Sequence, residues 1–132
     1  MAVRVLVVDD SARFRRSAVH LLTLRGFTVL PGVADRQAAL DVVAMAGCPD
    51  GALVDVHLPG DDGRHVVAAL RAACPSARIV LTSSDVDAVT ACDVTRYGVE
   101  AFVAKDDLAL ADLTALFGAD DEPAEDAGGE RT

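Results

Sequence analysis

Several kinds of chemistry are missing from this chain. No apolar run approaches membrane-spanning length, although 52% of the 132 residues are hydrophobic. No glycine-rich phosphate cradle is present, because Gly60-Asp61-Asp62-Gly63 has the composition of a turn and not of a nucleotide loop. Cys48, Cys74 and Cys92 are odd in number, widely spaced and without zinc-ligand spacing, so they read as separate reduced thiols of a cytoplasmic protein. Basic residues are scarce: 12 Lys+Arg against 21 Asp+Glu leave a formal net charge of -9, which argues against direct binding to nucleic acid or an anionic membrane. A strand that opens at Val3 leaves no space for a signal peptide. There is no internal repeat, and the length suits one domain with one well-buried core.

What is present is an alternation of apolar strands and amphipathic helices. Val3–Val8 reads as a strand that delivers Asp9 and Asp10, with Asp10 or Ser11 capping a helix that carries Phe14, Ala18, Leu21 and Leu22 inward. Arg13, Arg15 and Arg16 read as its solvated side, and Gly26 stops it. Phe27–Leu30 is a second strand, and Asp35 caps a second helix closed by Gly47. Ala52–Val56 is an apolar, β-branched run interrupted by Asp55, followed by a Pro59–Gly63 loop. A helix through Val66, Val67, Leu70 and Ala73 ends at Cys74-Pro75. Arg78–Thr82 is the fourth strand, a short helix is expected between Asp87 and Tyr97, and Glu100–Ala104 is the fifth strand, delivering Lys105. A last helix is expected to carry Leu110, Leu113, Leu116 and Phe117. An acidic tail over 118–132 is too poor in apolar surface to order itself.

Five β-α units of this spacing imply a parallel sheet covered on both faces, with right-handed crossovers that bring every strand's carboxyl end to one edge. Asp9, Asp10, Asp55, Thr82 or Ser83, and Lys105 all stand at such ends. Converging carboxylates repel one another unless a cation joins them, and an all-oxygen set of this kind suits a hard divalent ion, Mg²⁺ above all. A carboxylate in that setting is a competent phosphoryl acceptor, provided that cations and hydroxyl donors surround the incoming group.

In this order, Val7-Val8-Asp9-Asp10, the segment from Asp55 to Gly63 with Pro59, Ile79-Val80-Leu81-Thr82-Ser83, and the segment from Gly98 to Lys105 resemble the receiver domain of two-component response regulators. The likeness spans about residues 3 to 117, so a receiver domain is expected over 1–117. It implies a doubly wound, flavodoxin-like (βα)5 α/β fold with strand order 2-1-3-4-5. It further implies that Asp55 is the phosphoacceptor, and that Asp9, Asp10, Asp55 and the backbone carbonyl of His57 hold Mg²⁺. Lys105 would bind the phosphoryl group, and Phe102 would change rotamer on activation. The phosphate-binding hydroxyl is Thr82 or Ser83, with family spacing favouring Ser83. Lys105-Asp106 departs from the Lys-Pro of many receivers, and His57 stands where hydrolytic water is controlled. The implied partners are a histidine kinase or phosphotransfer protein and an output protein, with the chain a single-domain regulator, monomeric or weakly dimeric. Two other readings stand beside this one. A degenerate receiver would scaffold a partner without phosphate, and a phosphohydrolase with an aspartate nucleophile would need an acid where His57 stands.

Overall fold

Alternation along the strands decides which helices cover which face. In the computed structural model, which describes residues 2–118 apart from 86 and 88, β1 (Arg4–Val8) turns Val5 and Val7 to one side and Leu6 and Val8 to the other. The first side packs against α1 (Ala12–Leu24) and α5 (Leu113–Phe117), through Ala18, Leu22, Leu113 and Phe117. The second packs against α2 (Arg36–Ala46) and α3 (Gly63–Ala73), through Ala39, Val66, Val67 and Leu70. The other strands of the main sheet are β2 (Thr28–Val29), β3 (Gly51–Asp55), β6 (Arg78–Ser83) and β7 (Ala101–Ala104). They pair in parallel in the order β2-β1-β3-β6-β7. With the separate two-stranded hairpin of β4 (His57–Leu58) and β5 (Asp61–Asp62) left out of the count, that is the anticipated 2-1-3-4-5.

The caps explain where the helices begin. Ser11 accepts from the Phe14 amide at 3.1 Å and Asp35 from Ala38 at 2.8 Å, each satisfying an amide that has no intrahelical partner. Of the two residues proposed to cap α1, it is Ser11 that does so. α4 (Ala91–Tyr97) is the short helix expected between Asp87 and Tyr97, and it starts where Thr90 and Asp93 form a reciprocal capping box. Among the described residues no helix is long and apolar enough to cross a membrane.

Four expectations need correction. The Pro59–Gly63 loop is folded back into the β4–β5 hairpin, with His57 opposite Asp62. Only Thr28 and Val29 pair as the second strand, although Phe27 and Leu30 beside them are buried. Leu110 does not face the core: Lys105–Leu110 is a 3-10 turn and Leu110 is 87% exposed, because that tighter winding rotates it off the α5 face. Cys48 and Cys74 are not separate thiols but a disulfide with Cα atoms 5.6 Å apart. A separation of 26 residues concealed them; they occupy the two helix-to-strand turns that lead into β3 and β6, which are neighbours in the sheet. The readings of Cys92 as a reduced thiol and of 119–132 as a solvated tail lie outside the described residues.

Candidate functional site

Strand ends meet where the sheet's carboxyl edge opens, and four of the sequence candidates are buried there: Asp9, Asp55, Thr82 and Ser83. Asp9 follows β1 directly, and its backbone amide donates to Val33 at 2.9 Å, which fixes the chain's exit from the sheet. Its Oδ1 accepts the Ser11 amide at 2.8 Å, so Asp9 also shapes the entrance to α1. Asp55 is the last residue of β3, and its Oδ1 accepts the His57 amide at 3.1 Å. Asp10 is exposed beside them, and one carboxylate oxygen each from Asp9, Asp10 and Asp55 lies within 4.8 Å of the others.

Among the described residues, one cation enters this cluster. Lys105, the single lysine of the chain, places Nζ 2.8 Å from Asp9 Oδ2 and 3.4 Å from Asp55 Oδ2, and 4.2 Å from the centre of the Phe14 ring. The ring face adds a weak attraction for the ammonium and shields one side of it. Burial alone would lower the Lys105 ammonium, but the contact with Asp9 and the charges of Asp9 and Asp55 outweigh it and hold the group above its ordinary value. Asp55 goes the other way: burial pushes its carboxyl up, the Asp9 charge adds to that, and the His57 amide and Lys105 oppose it. The site therefore holds more negative charge than it neutralises.

Asp9 Oδ2 makes the same point atom by atom. It lies 2.8 Å from the Lys105 ammonium as an ion pair, and it is a buried oxygen with no other hydrogen-bond partner among the described residues. Such an oxygen is costly unless something further compensates it. With two more carboxylates at hand and no nitrogen or sulfur ligand among the three, the donor set fits a hard divalent cation.

The two hydroxyls differ in what they already do. Thr82 Oγ1 donates to the Val103 carbonyl at 2.7 Å, a bond within the sheet between register partners. Ser83 Oγ accepts the Asp85 amide at 3.0 Å and keeps its own proton to donate. His57 is exposed, and its backbone is anchored both by Asp55 and by the hairpin. Phe102 is half-buried on β7 and packs against the α2–α3 side of the core.

Three contributors escaped the sequence reading. Arg15 is not part of a solvated face: its Nη1 donates to the Asp9 carbonyl at 2.7 Å, and its stem lies over Gly32, where a Cβ would come within 3.0 Å of it. Phe14 was recognised as inward-facing, but its partner Lys105 is 91 residues away and invisible to helical periodicity. Gly63 was read as a turn former, whereas a Cβ there would sit 2.1 Å from the Asp55 carbonyl oxygen, so its amide can reach Val56 at 2.7 Å only because it has no side chain.

Comparisons with known proteins agree with this geometry. The family model described as the response regulator receiver domain matches residues 5–116. The probable transcriptional regulatory protein NarL of Mycobacterium tuberculosis is 36% identical over 104 residues, covering 79% of this chain and 48% of its own. The solved receiver domain of a putative NarL from Mycobacterium tuberculosis superposes with a TM-score of 0.72 at 32% identity, over 89% of this chain and 95% of that one. A response regulator from Burkholderia pseudomallei, solved with a phosphorylated aspartic acid, calcium ion and citrate, gives 0.74 at 29% identity, over 86% and 66%. This chain spans about half the length of the curated relatives it matches first.

Proposed function

The chain belongs to the response regulator receiver family, and on that premise we propose that Asp55 accepts a phosphoryl group from a histidine kinase or phosphotransfer protein and thereby changes the chain's affinity for an output partner. The observation that carries the proposal is the position of Lys105 Nζ between Asp9 Oδ2 and Asp55 Oδ2, in a cluster of three carboxylates. A carboxylate oxygen of Asp55 forms the bond to phosphorus while the bond from phosphorus to the donor's imidazole breaks. Lys105 then stands beside the new acyl phosphate as a point charge for its oxygens, and Ser83, whose proton is uncommitted, donates to it. Thr82 is assigned to the sheet through Val103. Asp9, Asp10, Asp55 and the His57 carbonyl would hold Mg²⁺, which when bound supplies positive charge to the transferring group. The phosphorylated aspartic acid and calcium ion of the Burkholderia pseudomallei protein support that pairing of chemistry. Phe102 is assigned to the relay on β7, and a cytoplasmic location follows from a kinase partner acting there.

Acetyl phosphate with Mg²⁺ tests the reading by intact mass. Wild type gains one phosphoryl group, and Asp55→Asn gains none, because an amide is not a competent nucleophile. Unchanged labelling of Asp55→Asn would move the site. Sustained turnover of small phosphate esters would instead identify a phosphohydrolase, and no labelling of wild type a scaffold.

A further inference from the structure

Far from the carboxylates, at the amino end of the same strands, Cys48 and Cys74 share a disulfide whose two backbones are anchored independently of it. Arg4 holds the Cys48 side, its guanidinium donating to the Ala46 carbonyl at 2.7 Å and the Cys48 carbonyl at 2.9 Å. The Asp50 amide donates to the Arg4 carbonyl at 2.8 Å, and the Asp50 carboxylate accepts the Arg4 amide at 2.8 Å. The Cys74 amide donates to Leu70 at 2.6 Å and its carbonyl accepts Ala77 at 3.1 Å. Each cysteine precedes a proline, which disfavours the helical region at that position. The Arg78 amide donates to the Asp50 carbonyl at 2.9 Å, tying the two turns together beyond the sulfurs. Opening the disulfide leaves all these bonds in place, so two thiols would remain at bridging distance.

The two residues differ in exposure. Cys48 is exposed and Cys74 only 2% so, and both line a groove of about 420 Å³ that also takes in Pro49, Pro75, Ser76 and Arg78. We infer that Cys48 and Cys74 form a reversible thiol–disulfide site, with Cys48 the sulfur that exchanges with low-molecular-weight thiols and disulfides and Cys74 the one that resolves. In the oxidising direction the Cys48 thiolate attacks a small disulfide, forming a mixed disulfide and releasing one thiol. Cys74 then attacks the Cys48 sulfur, forming the intramolecular bond and releasing the second thiol. The two cysteines lose two electrons and two protons, which the small disulfide takes up as two thiols. The closed loop of 26 residues contains β3, the hairpin and α3, and so joins the ends of the segment that carries Asp55.

The test uses the full chain with Cys92→Ser, so that two thiols remain. After equilibration with oxidised glutathione and denaturing alkylation, the chain should have lost the mass of two hydrogens and take no alkyl group, and dithiothreitol should restore two alkylated cysteines. With Cys74→Ser added, Cys48 should become glutathionylated; with Cys48→Ser added instead, Cys74 should react at least about tenfold more slowly, given its burial. The oxidised form should melt on the order of 10 °C above the reduced one, a shift absent from either single-cysteine variant. The melting comparison on the two-cysteine chain needs neither of those variants to fold. Two alkylated cysteines after oxidation, faster reaction at Cys74, or equal melting of both forms would each overturn the inference.

Discussion

Replacing Asp55 by Asn should make the metal-free protein more stable, even though it removes an ion pair. At an effective dielectric constant near 20, the attraction to Lys105 at 3.4 Å is about 5 kcal/mol. Repulsion from Asp9 and Asp10, each with an oxygen within 4.8 Å, is at least about 3.5 kcal/mol apiece on the same footing. Relief of two repulsions therefore exceeds the lost attraction by about 2 kcal/mol, and exposure of Asp10 screens part of its share. The isosteric amide keeps an oxygen for the His57 N–H, so that bond survives. A net gain of about 1 to 2 kcal/mol follows, or roughly 5 °C in melting temperature for a domain of this size.

The pH dependence carries a definite sign. Burial first, and Asp9 with it, raises the folded Asp55 pKa above its ordinary 3.8. The contribution of Asp55 to stability is thus fully present below 3.8 and lost as pH rises through the folded value. The advantage of Asp55→Asn should be absent in acid, grow as pH rises past 3.8, and level off once folded Asp55 is ionised. Thermal or urea unfolding from pH 3 to 8 without divalent ions reads this directly, and saturating Mg²⁺ should then stabilise wild type more than the variant. A variant no more stable than wild type at pH 7, or equal stabilisation of both by Mg²⁺, would refute the charge argument.

Other expectations follow from single contacts. Gly63→Ala should destabilise by about 1 to 3 kcal/mol and slow phosphorylation by acetyl phosphate, because the new methyl would displace the Asp55 carbonyl; unchanged labelling would separate Gly63 from the site. Ser83→Ala should slow labelling at least about tenfold, read as the initial rate at saturating Mg²⁺. Thr82→Val should instead cost about 1 to 3 kcal/mol in urea unfolding, through the unpaired Val103 carbonyl, with a smaller effect on rate. Lys105→Arg should fall well short of wild type in labelling rate, since a planar guanidinium does not fill the place of an ammonium seated against the Phe14 ring.

How much of this was legible in the chain depends on the range of the interaction. Alternating apolar runs and cap residues placed the strands and the carboxyl-edge position of Asp9, Asp55 and Lys105, because period and capping are local, whereas the order of the sheet came only from the family resemblance. The exact reach of α4 and α5 was not legible, since short helices are decided by one cap or one 3-10 turn and not by a long period. Arg15 misled because periodicity put its Cα on the outer side, while its long stem crosses Gly32 to the Asp9 carbonyl. The disulfide was hidden for a topological reason: only the pairing of β3 with β6 brings the two Cys-Pro turns together.

The excess charge at the site also says what a phosphoryl group would have to do. A ligand shifts a conformational equilibrium only by its differential interaction with the two states. Phosphorylation of Asp55 would carry its charge from about -1 to about -2 and add oxygens beyond the present carboxylate. The donor within reach of change is Ser83, whose hydroxyl now accepts from Asp85 at the start of the connection to α4. Turning that hydroxyl toward new oxygens would alter its bond to Asp85 and so bear on the connection. The far end of that connection is held by Thr90 and Asp93, and Asp93 lies 3.5 Å from Arg64, which is also paired with Asp62 beside the phosphoacceptor hairpin. Both ends of the β6–α4 connection are thus fastened to residues around Asp55, one by a hydroxyl and one by a guanidinium. Cutting the second tie by Arg64→Ala should leave the labelling rate of Asp55 within about twofold but weaken the coupling of phosphorylation to α4. The readout is the phosphorylation-dependent change in amide exchange over residues 91–97, which should shrink in the variant. An undiminished change would place the coupling elsewhere, with Lys105 and β7 as the remaining route.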